Sequence, residues 1–172
     1  SDVCSSDLLD CLNKSNSEVV FVSTPANTHY EICKKLLNMG FDVWVEKPVT
    51  KDKKEAKNLI NLARDLKRRI FVDHPYLFSP GIEKMKELIA SGEIGTPLFI
   101  ESNRANLGIF QPDVSVLYDL AVHDLSILDF CFPDQKINSI SCKLENPINH
   151  VTDSVANLNI RYLNGFSANI TC

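Results

Sequence analysis

Two short stretches hold the side chains best suited to chemistry. Asp119 and His123 stand four apart in "VLYDLAVHD". On a helix that spacing sets both on one face, with Cβ atoms about 5–6 Å apart. One member of such a pair can orient a substrate while the other moves a proton, because an imidazole with an unperturbed pKa near about 6.5 exchanges protons around neutral pH. The second stretch is "FDVWVEKPVT", residues 41–50, where the apolar run Val43–Val45 stops abruptly at Glu46-Lys47-Pro48. A buried strand that finishes on an acid, a base and a proline presents charge at its end. The competing readings are a histidine satisfied in the core and a lysine solvated at the surface. Asp124 and Asp129 read as capping or solvated acids.

These residues need elements to hold them. Val19–Val22 are β-branched or aromatic throughout, as expected for a strand covered on both faces. In "STPANTHYE", Thr28 and Glu31 have capping-box spacing, so a helix is expected to start there. Ile32, Cys33, Leu36 and Leu37 mark its apolar face, and Gly40 is placed to end it. Val43–Val45 predict a second strand. Thr50 can cap a second helix with the stripe Ala56, Leu59, Ile60, Ala63 and Leu66, and Ile70–Val72 predict a third strand. This is the βαβ rhythm of a parallel sheet. The rhythm then changes. Ile82, Met85, Leu88 and Ile89 predict a helix ended by Ser91-Gly92, "PLFIESNRA" a strand, and Leu117–Phe130 a helix. After Pro133 the period becomes two. Ala156, Leu158, Ile160 and Tyr162 alternate with polar residues, Asn164-Gly165 signals a hairpin, and Phe166, Ala168 and Ile170 resume the alternation. The second half therefore reads as an antiparallel sheet with helices on one face.

In an open parallel sheet, ligands bind beyond the carboxyl ends of the strands. Here the three ends carry Ser23-Thr24-Pro25, Glu46-Lys47-Pro48 and Asp73-His74-Pro75. Polar groups and a proline recur at each end, which favours a cleft over a plain structural rim.

The totals exclude several classes. Apolar residues make up 44% of the 172 and charged residues 23%, as in a soluble globular protein, and the net charge is −4. No basic stripe points to nucleic acid. Apolar runs fall far short of the ~18 residues that span a bilayer, so no membrane partner is expected. The six cysteines include no Cys-x-x-Cys pair and no histidine at ligand spacing. No metal site is expected, and reduced thiols in a cytoplasmic protein are the preferred reading. The octapeptide "SDVCSSDL" back-translates to a common sequencing-adapter read, so residues 1–8 are expected to be an assembly scar.

The segment "VVFVSTPANTHYEICKKLLNMGFDVWVEKPVT" resembles the second half of the dinucleotide-binding domain of the Gfo/Idh/MocA oxidoreductases, through its Thr-Pro…His turn, its helix ending at Gly40 and its Glu-Lys-Pro after a strand. "VLYDLAVHD" resembles that family's Asp-x-x-x-His helix. The resemblance runs from about Glu18 onward. It implies an α/β chain: the C-terminal half of a Rossmann-type parallel-sheet domain over residues 9–73, then an incomplete α+β domain with a largely antiparallel sheet over 74–172. It implies NAD or NADP as cofactor, with Ser23, Thr24, Pro25, Asn27, His29, Glu46, Lys47 and Pro48 near it. The peptide before Pro48 is expected to be cis, turning Lys47 into the cleft. The activity implied is hydride transfer between nicotinamide and a secondary alcohol of a sugar, nucleotide sugar or cyclitol. His123 is then the base for the hydroxyl proton, and Lys47 and Asp119 assist.

His74, Arg104 and Asn106 are expected at the substrate, a surface arginine being the rival reading for Arg104. Leu77 stands where the family more often has arginine, which leaves the substrate open. No Gly-x-Gly-x-x-Gly occurs, nor the ribose acid ~20 residues beyond it. Both are expected upstream of Leu9, so the chain by itself is expected to be inactive. The full-length enzyme is expected to be a homodimer or homotetramer. A non-catalytic nucleotide-binding or regulatory relative of the same fold is the alternative.

Overall fold

Val19–Val22 (β1) and Asp42–Glu46 (β2) pair in parallel, Phe21 opposite Trp44 and Val22 opposite Val45. This structure is a computed structural model. It describes Leu12 and residues 16–105, 112, 114–149 and 151–172. The expected scar at 1–8 and the expected ligand Asn106 lie outside the described residues. Contacts divide the chain into two compact units, residues 1–72 and 73–172.

In the first unit, β1, β2 and Ile70–Asp73 (β3) form a parallel sheet in that order. Helices His29–Asn38 (α1) and Lys53–Asp65 (α2) connect them. Successive strand residues point to opposite faces. Val22, Val43 and Val45 bury against Cys33, Leu36 and Leu37 of α1 and Leu59 and Ala63 of α2. Full burial of each such aliphatic side chain contributes about 1.5–3 kcal/mol. The other face is an aromatic row. Phe21 stacks on Trp44 at 5.3 Å, and Trp44 meets Phe71 at 4.1 Å. Phe21 is 70% exposed, which corrects the expectation of a strand covered on both faces.

Local signals were read correctly in place but not always in partner. Helix α1 starts where expected, yet no capping box forms. The Thr28 hydroxyl turns back to Pro25 O and Thr24 Oγ1, each at 2.7 Å. Gly40, at φ +89°, does end α1, with Gly40 N–H bonded to Leu37 O and Phe41 N–H to Leu36 O. That pairing is a Schellman motif, and its left-handed residue costs glycine nothing. Thr50 is not the cap of α2. Asp52 is, accepting from Lys54 N at 2.6 Å and Glu55 N at 3.2 Å, while Thr50 Oγ1 donates to Asp52 O. Within α2, Leu59 and Ala63 are buried while Ile60 is 51% exposed, so the buried stripe is narrower than the sequence suggests.

In the second unit, a short 3-10 turn (Pro75–Phe78) leads into Pro80–Ser91 (α3), then Phe99–Asn103 (β4). A π-helical turn, Leu117–Ala121, runs into Val122–Cys131 (α4). Ile137–Glu145 (β5), Val155–Tyr162 (β6) and Ser167–Thr171 (β7) complete a sheet in the order β4-β7-β6-β5. β4–β7 is parallel and the other two pairs antiparallel. The predicted alternation holds: Ala156, Leu158, Ile160, Tyr162, Phe166, Ala168 and Ile170 are all buried, against Ala121, Leu128, Cys131 and Phe132. The hairpin is not the two-residue turn that Asn-Gly suggests. Only Gly165 has positive φ there, and Tyr162 N–H bonds to Phe166 O, so the loop is Leu163–Gly165 with glycine at the bulge. The predicted α-helix at Leu117 opens as a π turn, with Val122 N–H reaching Leu117 O five residues back.

Candidate functional site

In the first unit, the polar groups gather where β1 and β2 end. Beyond β1, Ser23, Thr24, Pro25 and Asn27 are exposed around the 3-10 turn Ala26–Thr28. Beyond β2, Glu46 is exposed, Lys47 half-buried and Pro48 buried, and the Lys47–Pro48 peptide is cis. Because β1 and β2 are neighbours and parallel, these two ends emerge side by side.

His29, the first residue of α1, ties them together. Its Nδ1 lies 2.8 Å from Pro48 O and its Nε2 2.7 Å from Thr24 O. Only 1% of His29 is exposed. His29 therefore braces the two strand-end loops from within, its ring nitrogens committed to backbone.

In the second unit, the helix carrying Asp119 and His123 splits them between two geometries. Asp119 is half-buried in the π turn, and His123 is buried in the first turn of α4. π turns inside helices recur at functional positions, where they re-aim side chains. Tyr76, from the turn after His74, meets the imidazole of His123 edge to face at 4.8 Å between ring centroids. His74 itself is half-buried.

Arg104 directly follows β4 and is engaged. Its Nε donates to Asp124 Oδ2 at 2.7 Å and its Nη2 to Asp124 Oδ1 at 3.0 Å, while Ser102 Oγ donates to the same Oδ1 at 2.8 Å. The guanidinium carbon stands 4.5 Å from the Tyr76 ring centroid. Hydrogen bonding to the Asp124 carboxylate holds Arg104 above its ordinary pKa. Asp124, expected to cap or solvate, is instead buried at 6% exposure in an ion pair.

Sequence reasoning thus singled out His123 and Arg104 but missed Tyr76, Ser102 and Asp124. One signal was available: Ser102 and Arg104 are two apart on a strand, so they leave the same face, and an acid follows the histidine directly. Among the described residues, no three His, Cys, Asp or Glu side chains gather as a metal would require. No helix among them is long and apolar enough to cross a membrane.

Comparison with known proteins agrees with both units. The family model "Oxidoreductase family, NAD-binding Rossmann fold" matches residues 2–74, and the "GFO/IDH/MocA C-terminal domain" model matches residues 82–172. An uncharacterised oxidoreductase of Schizosaccharomyces pombe is 32% identical over 148 residues, covering 80% of this chain and 39% of that protein. An inositol 2-dehydrogenase/D-chiro-inositol 3-dehydrogenase of Lactiplantibacillus plantarum is 29% identical over 140 residues, covering 77% of this chain and 39% of that protein. The chain thus spans 39% of the length of each of these relatives. The crystal structure of an inositol dehydrogenase homologue from Azotobacter vinelandii, complexed with NADH and myo-inositol, superposes with a TM-score of 0.87. That superposition covers 96% of this chain and 47% of that one, and at 24% identity it shows the fold. The chain belongs to the Gfo/Idh/MocA oxidoreductase family.

Proposed function

We propose that the protein is an NAD- or NADP-dependent oxidoreductase acting on a secondary alcohol of a cyclitol, sugar or nucleotide sugar. The observation that carries this reading is the adjacency of the two strand ends, one exposing Ser23, Thr24 and Asn27 and the other carrying exposed Glu46 and half-buried Lys47. Hydroxyls, an amide and a carboxylate at neighbouring strand ends fit the sugar and amide portions of a dinucleotide. Pro25 and Pro48 shape the loops that carry them. The named relative that acts on inositol supports the substrate class.

The bound nicotinamide supplies the acceptor for the hydride that leaves the substrate carbon. What this chain supplies is proton handling and orientation. As the C–H pair of electrons departs, the O–H bond breaks and the alcohol becomes a carbonyl. His123 takes the hydroxyl proton, Lys47 stabilises the developing negative charge on that oxygen, and Asp119 orients the substrate. His74 and Arg104 are the remaining candidates for shaping the substrate's surroundings. The four described cysteines Cys33, Cys131, Cys142 and Cys172 are free thiols, which supports a cytoplasmic protein. The exposed apolar side chains Ile137, Ile140 and Leu144 of β5 support a homo-oligomer.

The test is turnover by the protein encoded by the full reading frame, offered NAD+ or NADP+ with a panel of cyclitols, sugars and nucleotide sugars. Lys47→Ala and His123→Ala are each expected to lower kcat/KM about 10²- to 10⁴-fold. A loss below about tenfold in both would sink these roles. Tight cofactor binding with no turnover across the panel would favour a non-catalytic relative.

A further inference from the structure

Asp124 directly follows His123 in α4, so about 100° of helix rotation separates the two side chains and they serve different neighbours. The neighbours of Asp124 are Ser102 on β4 and Arg104 just beyond its end. Ser102 and Arg104 leave the same face of that strand and both end on its carboxylate, with three bonds of 2.8, 2.7 and 3.0 Å. A two-nitrogen grip on one carboxylate fixes the plane of the guanidinium as well as its position. In that plane it stands 4.5 Å from the Tyr76 ring centroid, and the Tyr76 ring in turn meets His123 at 72° and 4.8 Å. The contacts therefore run without a break from a buried acid to the imidazole, although acid and imidazole are adjacent in the chain.

We propose that Asp124, Arg104 and Tyr76 are positioning residues that set the orientation in which His123 receives the substrate proton. Asp124 holds the guanidinium, the guanidinium holds the plane of the Tyr76 ring, and the ring walls one edge of the imidazole. This rests on the reading of His123 as the base. It also reassigns Arg104, whose guanidinium serves Asp124 and Tyr76 in place of the substrate. A lysine at 104 would keep the charge but not the plane, since an ammonium is a point charge without a fork.

The experiment is steady-state kinetics of the full-length enzyme with its nicotinamide cofactor and a substrate it turns over. Asp124→Asn, Arg104→Lys, Tyr76→Leu and Ser102→Ala are each measured alone and combined with His123→Ala. The first three are expected to lower kcat about 10- to 100-fold, because small misplacements of a catalytic group cost that much, with KM within about threefold. Ser102→Ala leaves the arginine fork in place and is expected to cost about threefold, which keeps a readout should Asp124→Asn not fold. In the His123→Ala background none of the four should cost more, since there is no base left to misplace. If Arg104→Lys raises KM tenfold at unchanged kcat, Arg104 is a substrate ligand and the proposal is overturned. It is overturned as well if the losses multiply fully with a large His123→Ala loss. A loss below tenfold for His123→Ala itself instead overturns the assignment of the base.

Discussion

The imidazole of His29 stands 2.8 Å from the carbonyl oxygen of Pro48, nineteen residues further along the chain, and its other nitrogen 2.7 Å from Thr24 O. One buried side chain thereby couples the loop after β1 to the loop after β2. Replacing it with leucine would remove the ring contact to both carbonyls, and leaving a buried polar group unpaired costs about 1–3 kcal/mol. His29→Leu is therefore expected to destabilise the protein by about 1–3 kcal/mol, read from denaturant midpoints. Dinucleotide affinity should fall as well, since the two loops would no longer be held to each other. A variant with unchanged midpoint and unchanged affinity would remove His29 from this role.

Lys67 is the residue just past α2, and it sits at φ 53°, the left-handed region. Its N–H bonds to Arg64 O and the next N–H, of Arg68, to Ala63 O, the same motif that Gly40 closes after α1. A side chain there costs about 1–2 kcal/mol that glycine avoids, less the extra freedom glycine has when unfolded. Lys67→Gly is expected to stabilise by about 0.5–1 kcal/mol, seen as a higher Tm. A lower Tm would contradict this account of the helix end.

Asp42 opens β2 and accepts from Arg69 N at 2.8 Å and Arg69 Nε at 2.7 Å. The bond from the Arg69 backbone N–H is the largest cause of a carboxyl held below its ordinary pKa, against the opposing effect of burial. A depressed folded pKa means that the ionised form is favoured in the fold. The stabilisation is complete above the unfolded value near about 3.9 and is lost as pH falls through the folded one. The stability gap between the wild type and Asp42→Asn should thus be constant from about pH 7 to pH 5 and narrow below about pH 4. A gap that widens on acidification would reverse the sign and refute the assignment.

How far these features could be read from residues alone differs with the range of the interaction. The β6–β7 hairpin was legible because burial forces a period of two, and Ala156 to Tyr162 and Phe166 to Ile170 obey it on either side of the turn. The parallel strands and the polar ends of β1 and β2 were legible for a similar reason: apolar runs stop where polar groups and prolines begin. The cap of α2 was not, because Thr50 and Asp52 are both competent acceptors and the backbone angles decide between them. The π turn at Leu117 has no local signature of its own. The Asp124–Arg104 pair was hidden for a deeper reason. Its partners are twenty residues apart, so only the docking of α4 on β4 turns a nominal helix-cap acid into a buried anion.

Cysteine chemistry should sort by burial. Cys33 is wholly buried, and desolvation pushes its thiol up to about 12, while Cys172 is raised to about 11 by the same cause. The thiolate is the reactive form, so at pH 8 the raised pKa keeps Cys33 and Cys172 almost entirely as unreactive thiols. Cys142 is exposed on β5. Brief alkylation of the native protein at pH 8 should label Cys142 and spare Cys33 and Cys172, with all three labelled in denaturant. Mass spectrometry of the digested protein reads the outcome, and native labelling of Cys33 would show that the α1–sheet interface opens readily.

Ile140 and Ile160 are paired in register across β5 and β6, yet Ile160 is 1% exposed and Ile140 57%. Both side chains leave the same face of the sheet, so strand position separates them. β6 lies inside the sheet, where α4 covers it, whereas β5 is the edge. Truncating a buried isoleucine loses its transfer free energy and leaves a cavity that the packed surroundings only partly fill. Ile160→Ala is expected to cost about 2–5 kcal/mol. Ile140→Ala removes surface that is already largely hydrated, so it should cost less than about 1 kcal/mol. Denaturant midpoints of the two variants, measured at one protein concentration, check the contrast. Comparable losses at both positions would mean that the β5 edge is covered in solution, and repeating the Ile140→Ala measurement at several concentrations would then show whether a second copy covers it.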